Sequence, residues 1–366
     1  MIHLFKVRMA PEAKERVAEV LDSGYIGQGP KVEAFEKAFA DLVEAPHDVL
    51  MVNSCTSAID LALHLIGVGP GDEVVTTAMT CTATNSPIVL RGATPVWADV
   101  YPETGLLDPA DVHRVLTKKT KAIVAVDWGG QPCDYKTLCS YGLPVIEDAA
   151  HALLATIEGV PIARAAPDNL YICWSFQAIK HLTTGDGGAL FVPKHQVDRA
   201  RLLRWYGLDR RSSASFRCEQ NIVEVGYKSQ SNDIAAAIGL ANLPLVKGTV
   251  ELHREHALTY SKRGIAGRGS LRGSAWWLFT VLVDSPATFI AHMRERGIEA
   301  SPVHARNDKH TAFRRAAASR ELPGLDWFAA HEVAIPVGWW LTEDEVAIVS
   351  DAVIEWFDRR KQVRFA

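Results

Sequence analysis

From residue 49 to residue 192 the chain switches back and forth between short apolar runs and amphipathic stretches. VLMVN (49–53) is followed by TSAIDLALHLI (56–66), and EVVTT (73–77) by CTATNSPIVLRG (81–92). TPVWADV (94–100), KAIVAVD (121–127) and LPVIED (143–148) come next, and LYICWSF (170–176) and GGALFV (187–192) read as two more inner strands. Parallel strands need a crossover long enough to hold a helix, so this alternation predicts an α/β layer: a mostly parallel sheet with helices on both faces.

After Asn232 the pattern changes. SNDIAAAIGLANLPLV (231–246) opens on an N-cap candidate and runs into a helix. A charged helix follows (GTVELHREHALTYSKRG, 248–264), then a Gly-rich break. A strand, SAWWLFTVLVD (274–284), a helix over about 286–297 and a last helix opened by the capping-box spacing of Thr342 and Glu345 complete a smaller α+β part. The expected division is a large domain over 1–235 and a small one over 236–366.

With 366 residues, 48% of them hydrophobic, the chain can bury a large core, and a formal net charge of -4 offers no polybasic field to nucleic acid or anionic lipid. The N-terminal stretch turns charged before an apolar segment develops, and no run approaches the roughly 18 apolar residues of a membrane span. A cytoplasmic protein acting on a small molecule, with no membrane or nucleic-acid partner, is expected. The one basic aromatic patch, RWYGLDRRSSASFR (204–217), reads as a mobile active-site or dimer loop. Six cysteines (55, 81, 133, 139, 173, 218) lack paired spacing and read as reduced thiols. His253 and His256 share a helical face but have no further ligands nearby in sequence, so no metal is expected.

Three segments carry chemistry. In SFQAIKHLTTGDGG (175–188), Lys180 lies on a short link between two inner strands, and such links open onto the ligand crevice of an α/β sheet. In PVIEDAAH (144–151), side chains alternate along the strand, so Glu147 and Asp148 point to opposite faces. Either acid could serve as a helix cap or face solvent; the alternative is a carboxylate placed to hold a proton on a heteroaromatic nitrogen. In VNSCTSAIDLAL (52–63) a strand turns into a helix at Ser54, Cys55, Thr56 and Ser57, a plain cap or a cradle of free N–H groups and hydroxyls for a phosphate. There is no P-loop motif, and GIAGRG (264–269) follows a helix rather than a strand, which disfavours ATP and NAD. Pyridoxal phosphate asks for the parts that are present: an amine for the imine, a carboxylate for the ring nitrogen, and hydroxyls and amides for the phosphate.

In this order the motifs resemble the DegT/DnrJ/EryC1/StrS sugar aminotransferases, pyridoxal-phosphate enzymes of the three-layer aspartate aminotransferase fold. GYIGQGPKVEAFEKAFA (24–40), VGPGDEVVTT (68–77), RGATPVWADV (91–100), EDAAH, SFQAIK, TTGDGG, ANLPLV (241–246) and TEDEV (342–346) carry the likeness nearly end to end. The resemblance implies that Lys180 forms the imine and moves the proton, that Asp148 binds the ring nitrogen, and that His151 lies near the phenolic oxygen. It assigns the phosphate to Ser175, to the turn Ser54, Cys55 and Thr56, and to a residue from a second subunit, so that the protein is a homodimer with shared sites. That residue, Asn in many relatives, is Lys228 here, Cys81 stands where an aromatic stacks on the ring, and Cys55 stands where Gly is usual. Trp128 is a candidate to supply the missing stack. The implied reaction moves an amino group from L-glutamate to the keto group of a nucleotide-linked deoxysugar. The acceptor is expected near Tyr25, Ile26, Gly27, His304 and Arg306. A pyridoxamine-dependent dehydratase, in which histidine replaces the lysine, a cyclitol aminotransferase and a non-catalytic cofactor-binding regulator are the competing readings.

Overall fold

The apolar runs between 49 and 192 become strands buried on both faces, as a sheet covered by helices requires. The computed structural model describes residues 1–212, 217–267 and 273–363, so parts of the 204–217 patch and of GIAGRG lie outside the described residues. In chain order the strands are β1 (Leu50–Val52), β2 (Glu73–Thr77), β3 (Thr94–Ala98), β4 (Thr120–Val126), β5 (Val145–Asp148), β6 (Thr156–Ile157), β7 (Val160–Pro161), β8 (Leu170–Ser175), β9 (Gly188–Phe191), β10 (Phe279–Leu282) and β11 (Glu332–Ile335). Seven of them form one sheet in the order β1-β9-β8-β5-β4-β2-β3. β9 runs antiparallel to both of its neighbours, and the other ladders are parallel. This is the α/β architecture expected.

Alternation along the strands sorts their side chains into two cores. Leu170, Ile172 and Trp174 of β8 face a layer containing Phe35, Phe39 and Phe176, whereas Tyr171 and Cys173 face the helix Cys55–Ile66. On β5, Val145 lies in the first core and Ile146 in the second, so Glu147 continues toward the first and Asp148 toward the helix Cys55–Ile66. The parallel strands of this sheet end at one edge, and there the polar side chains gather.

The chain leaves the sheet layer through the helix Asp233–Asn242, capped by Asn232, whose side chain accepts from Ala235 N at 2.9 Å. A turn at Leu243–Leu245 containing Pro244 leads into the helix Val246–Lys262. The first of these helices packs on Ala13–Ser23 and Pro30–Leu42, so the division expected at 235/236 falls inside it. Within 233–262 one 18-residue window reaches a mean hydropathy of 1.2, long and apolar enough by composition for a membrane span, where none was expected; 56% of that window is buried inside the protein. Beyond it, β10 and β11 pair antiparallel and pack with the helices Pro286–Glu295 and Glu343–Val363 around a third core. Ile2 joins that core and bridges Ile298, so the chain's first residues belong to its C-terminal part. The capping box is present: Glu345 N donates to Thr342 Oγ1 at 3.2 Å, and Thr342 N donates to Glu345 Oε2 at 3.0 Å.

One expectation needs correction. The strand expected over 274–284 forms only at Phe279–Leu282, because Trp276 takes a positive φ of 51°, a left-handed conformation that breaks an extended chain.

Candidate functional site

β5 delivers Asp148 to the C-terminal edge of the sheet. Its Oδ2 accepts from Thr84 Oγ1 at 2.6 Å and its Oδ1 from Ala150 N at 3.1 Å, with Cys55 Sγ 3.8 Å away. Thr84 is itself met by Thr80 Oγ1 at 2.8 Å. Burial raises the Asp148 pKa, while Thr84, Ala150 and the charge of Lys180 pull the other way. On the opposite face Glu147 meets Asp127, which accepts from Cys133 N (2.9 Å) and Tyr135 Oη (2.6 Å). Burial pushes Glu147 well above the usual carboxylate range and Asp127 up to about 6, so the pair holds one proton. Neighbours in sequence, Glu147 and Asp148 thus face opposite sides of the sheet, one beside Asp127 and the other beside Thr84 and Cys55.

The link after β8 carries Lys180, half-buried, with its Nζ 3.4 Å from the centroid of the Trp277 ring. Burial lowers its pKa to about 8, opposed chiefly by the negative charge of Asp148. His151 stacks on Trp277 (3.9 Å between centroids, 20° between planes), and His304 lies parallel to it at 5.8 Å. Burial, with Lys180 nearby, pulls His151 well below the ordinary imidazole range and His304 to about 4. Both rings are therefore neutral. His151 Nδ1 and His304 Nε2 are buried with no hydrogen-bond partner among the described residues, which leaves two polar atoms for a ligand to satisfy.

The turn before the helix Cys55–Ile66 is built for an anion. Ser54 is the N-cap and accepts from Ser57 N at 3.1 Å, and the helix presents its positive end there. β9 crosses close behind: a Cβ on Gly188 would lie 2.5 Å from Cys55 N. Ser175, at the end of β8, pairs with Gly188 and so stands beside the turn. Thr56 lies on the helix's first turn, but Cys55 points inward to Asp148 and the carbonyl of Cys173 (3.6 Å), and burial raises its thiol pKa.

The remaining expected residues divide. Cys81 is exposed at the start of the helix Thr82–Leu90. Lys228 has its backbone beside Asn53, whose Nδ2 donates to the Lys228 carbonyl at 3.2 Å, but its Nζ lies 5.4 Å from the Tyr206 ring. Tyr25, Ile26 and Gly27 lie on a loop held by Asp233, whose N donates to the Gly27 carbonyl at 2.9 Å, and by Arg210, which reaches Tyr25 Oη at 3.2 Å. The Arg306 guanidinium is bound by Asp308 of its own loop (3.0 and 2.7 Å) and by Asp326 of the helix Pro323–His331, so its charge is already paired. Trp128 is fully buried, edge-on to His151, His304 and Phe328, and its Nε1 donates to Thr280 Oγ1 at 3.3 Å. It is the wall behind the imidazoles, not a stacking ring.

Sequence reasoning missed Trp277 and Thr84. Trp277 sat inside an apolar run taken for a strand; Thr84 was visible only as one of three threonines in TCTAT. Asn307 was missed too. Its Nδ2 donates to the Thr80 carbonyl (2.7 Å) and its Oδ1 accepts from Asn85 Nδ2 (2.9 Å), tying the loop after His304 to the one before Thr84.

A lysine amine, a strand-end carboxylate, two orphaned imidazole nitrogens and an anion cradle at one sheet edge define a pyridoxal-phosphate enzyme of the aspartate aminotransferase type. The chain belongs to the DegT/DnrJ/EryC1/StrS aminotransferase family, whose model matches residues 7–354. It is similar to AtS13 from Actinomadura melliaura (TM-score 0.90, 40% identity, covering 96% of this chain and 98% of that one). It is also similar to the sugar aminotransferase CalS13 from Micromonospora echinospora (TM-score 0.89, 38% identity, 96% and 99%). The spore coat polysaccharide biosynthesis protein SpsC of Bacillus subtilis is 40% identical over 241 residues, which span 63% of this chain and 61% of that protein. Pyridoxal phosphate is the cofactor of the family.

Proposed function

We propose that the protein transfers the amino group of L-glutamate to the keto group of a nucleotide-linked keto-deoxysugar. The observation that carries this reading is Lys180, an amine whose pKa burial lowers to about 8, set among Asp148, His151 and His304. When bound, pyridoxal phosphate supplies the electron sink that makes a carbon–hydrogen bond next to nitrogen acidic. The protein's residues do the rest. Ser54, Thr56, Ser175 and the N-terminus of the helix Cys55–Ile66 hold the phosphate. Asp148, fixed by Thr84 and Ala150, holds a proton on the ring nitrogen. His151 offers its orphaned nitrogen to the ring's phenolic oxygen. Lys180, neutral in a useful fraction near pH 8, takes a proton from the substrate carbon and returns it elsewhere.

A sugar acceptor is supported by the likeness to the sugar aminotransferase CalS13 and to SpsC, a spore coat polysaccharide biosynthesis protein. His304 is the residue of this chain best placed to meet it; Arg306, bound by Asp308 and Asp326, shapes the loop beside it. Tyr25, Ile26, Gly27 and Lys228 are proposed to complete the site of a second copy. An apolar strip on the segment that carries Lys228 supports the homodimer: Val223 is 90% and Val225 81% exposed in a single chain, beside Ile222 and Tyr206. Six free thiols fit the reducing cytoplasm.

The test is spectral. Purified protein mixed with pyridoxal phosphate is expected to develop an absorbance band near ~420 nm that L-glutamate shifts toward ~330 nm, with Lys180→Ala lacking both features. Amination of a panel of nucleotide keto-sugars then identifies the acceptor. A wild-type protein that binds the cofactor but leaves the band unmoved by glutamate would refute the donor assignment.

A further inference from the structure

We propose that Trp277 is a catalytic residue whose indole face holds the ammonium form of Lys180 whenever the lysine is not covalently engaged, an assignment that rests on the role of Lys180 given above. The ring centroid lies 3.4 Å from Nζ, well inside the range over which an aromatic face attracts a cation. Trp277 is buried, so the ammonium meets the ring with little water between them, the condition in which this attraction is strongest. Asp148, whose charge acts most strongly on the lysine, is itself held by Thr84 and Ala150. The indole is what Nζ touches.

The ring is fixed from several sides. Its Nε1 donates to the carbonyl of Ile179 at 3.1 Å, the residue before Lys180, so indole and lysine are tied to one loop. Phe5 stacks on it at 5.0 Å and His151 at 3.9 Å. The backbone aims it as well. Ala275 N donates to the Gly130 carbonyl (2.9 Å) and Leu278 N to that of Gly129 (3.2 Å), gripping the segment on both sides of Trp277. Gly130 has φ of 100°, and a Cβ there would lie 2.7 Å from the His151 carbonyl and 2.8 Å from Trp276 N. Only glycine lets the two segments approach this closely. Trp276 holds φ at 51°, a costly conformation for a bulky residue. A strained residue beside a glycine cradle is more than packing requires; its effect is to turn the next side chain toward the lysine.

A ring that attracts the ammonium does two things for an acid–base lysine. It keeps the freed side chain at the reacting centre instead of letting it swing into solvent. It also partly restores the proton affinity that burial removes, so that the same amine can take a proton and give it back.

Fluorinated tryptophans, placed at position 277 alone, weaken the attraction in steps while keeping the ring's size. The first readout is competitive acetylation of the cofactor-free protein from pH 6 to 10, scored by mass spectrometry on the peptide containing Lys180. The apparent pKa of Lys180 is expected to fall with each fluorine, by about one unit over the series, which makes labelling below that pKa about ten-fold faster. Trp277→Phe, with a smaller face, is expected between the native and the most fluorinated ring. The second readout, in the same series, is the pH dependence of the ~420 nm band after pyridoxal phosphate is added. A labelling pKa that stays flat across the series, with the band still formed, would overturn the proposal and leave the function standing. A falling labelling pKa with no band at any pH would support the contact and overturn the cofactor reading.

Discussion

Asp148 and Tyr25 belong to the same expected site and are held in contrasting ways. Asp148 ends a buried strand and accepts two hydrogen bonds at 2.6 and 3.1 Å from neighbours that are themselves in place. Tyr25 is half exposed on a loop, its hydroxyl met by Arg210 and the carbonyl of Gln28. The floor of the site, from the phosphate turn through Asp148 to Lys180 and Trp277, is complete within one chain. The rim, from Tyr25 to the apolar strip at Val223 and Val225, presents surface that one chain leaves uncovered. Under the proposed function the floor would carry the chemistry and the rim the recognition of the acceptor.

The sharpest break falls on the floor. Lys180→Ala is expected to lower turnover with L-glutamate about ten-thousand-fold, measured by release of 2-oxoglutarate, with folding unchanged by circular dichroism. Asp148→Ala removes the carboxylate proposed to hold the ring nitrogen's proton and is expected to cost about a hundred- to a thousand-fold in kcat. On the rim, Val223→Asp places a charge in the proposed subunit contact. Sedimentation is expected to show dimer dissociation strengthened about a hundred-fold, while acetylation of Lys180 in the monomer is unaltered. If Val223→Asp instead abolished the lysine's depressed pKa, floor and rim would not be separable.

Smaller effects sharpen the floor. Thr84→Val deletes one hydrogen bond to a buried carboxylate, so pyridoxal phosphate affinity is expected to fall about ten-fold and Thr84→Ser to restore it, by equilibrium dialysis. Glu147→Gln tests the back face of β5. Both acids of the pair have raised pKa values in the folded protein, Asp127 to about 6. The folded state therefore retains protons that the unfolded chain releases, and stability drains as pH rises from the ordinary carboxylate range through 6 and beyond. The amide keeps a donor for Asp127 and removes that loss. Thermal unfolding of the cofactor-free protein is expected to show Glu147→Gln more stable than the native chain at pH 8, by about 1–2 kcal/mol, with the gap closing toward pH 5.

Legibility followed the same division. Asp148, Lys180 and Ser54 could be found because each sits at a punctuation mark: the end of a strand, the link between two strands, the cap of a helix. Local rules place such residues, and short-range periodicity predicts which face they take. Trp277 could not be found this way. Its run reads as strand, and what breaks the strand is an approach to Gly129 and Gly130, nearly 150 residues away in sequence. Arg306 failed for a related reason. A lone arginine near the expected acceptor invites a phosphate, but Asp326 arrives from another helix to pair with it.

By itself, then, the sequence determined the layered α/β sheet, the caps and the placement of Ser54, Asp148 and Lys180 at the ends of their elements. All of these follow from hydrophobic periodicity and from groups only a few residues apart. The tertiary structure decided which of two adjacent acids faces the helix Cys55–Ile66 and which is buried beside Asp127, which aromatic touches the lysine, and which cations are already paired. Those outcomes depend on burial and on contacts between distant segments, which set pKa values and consume charges in ways that no local pattern encodes.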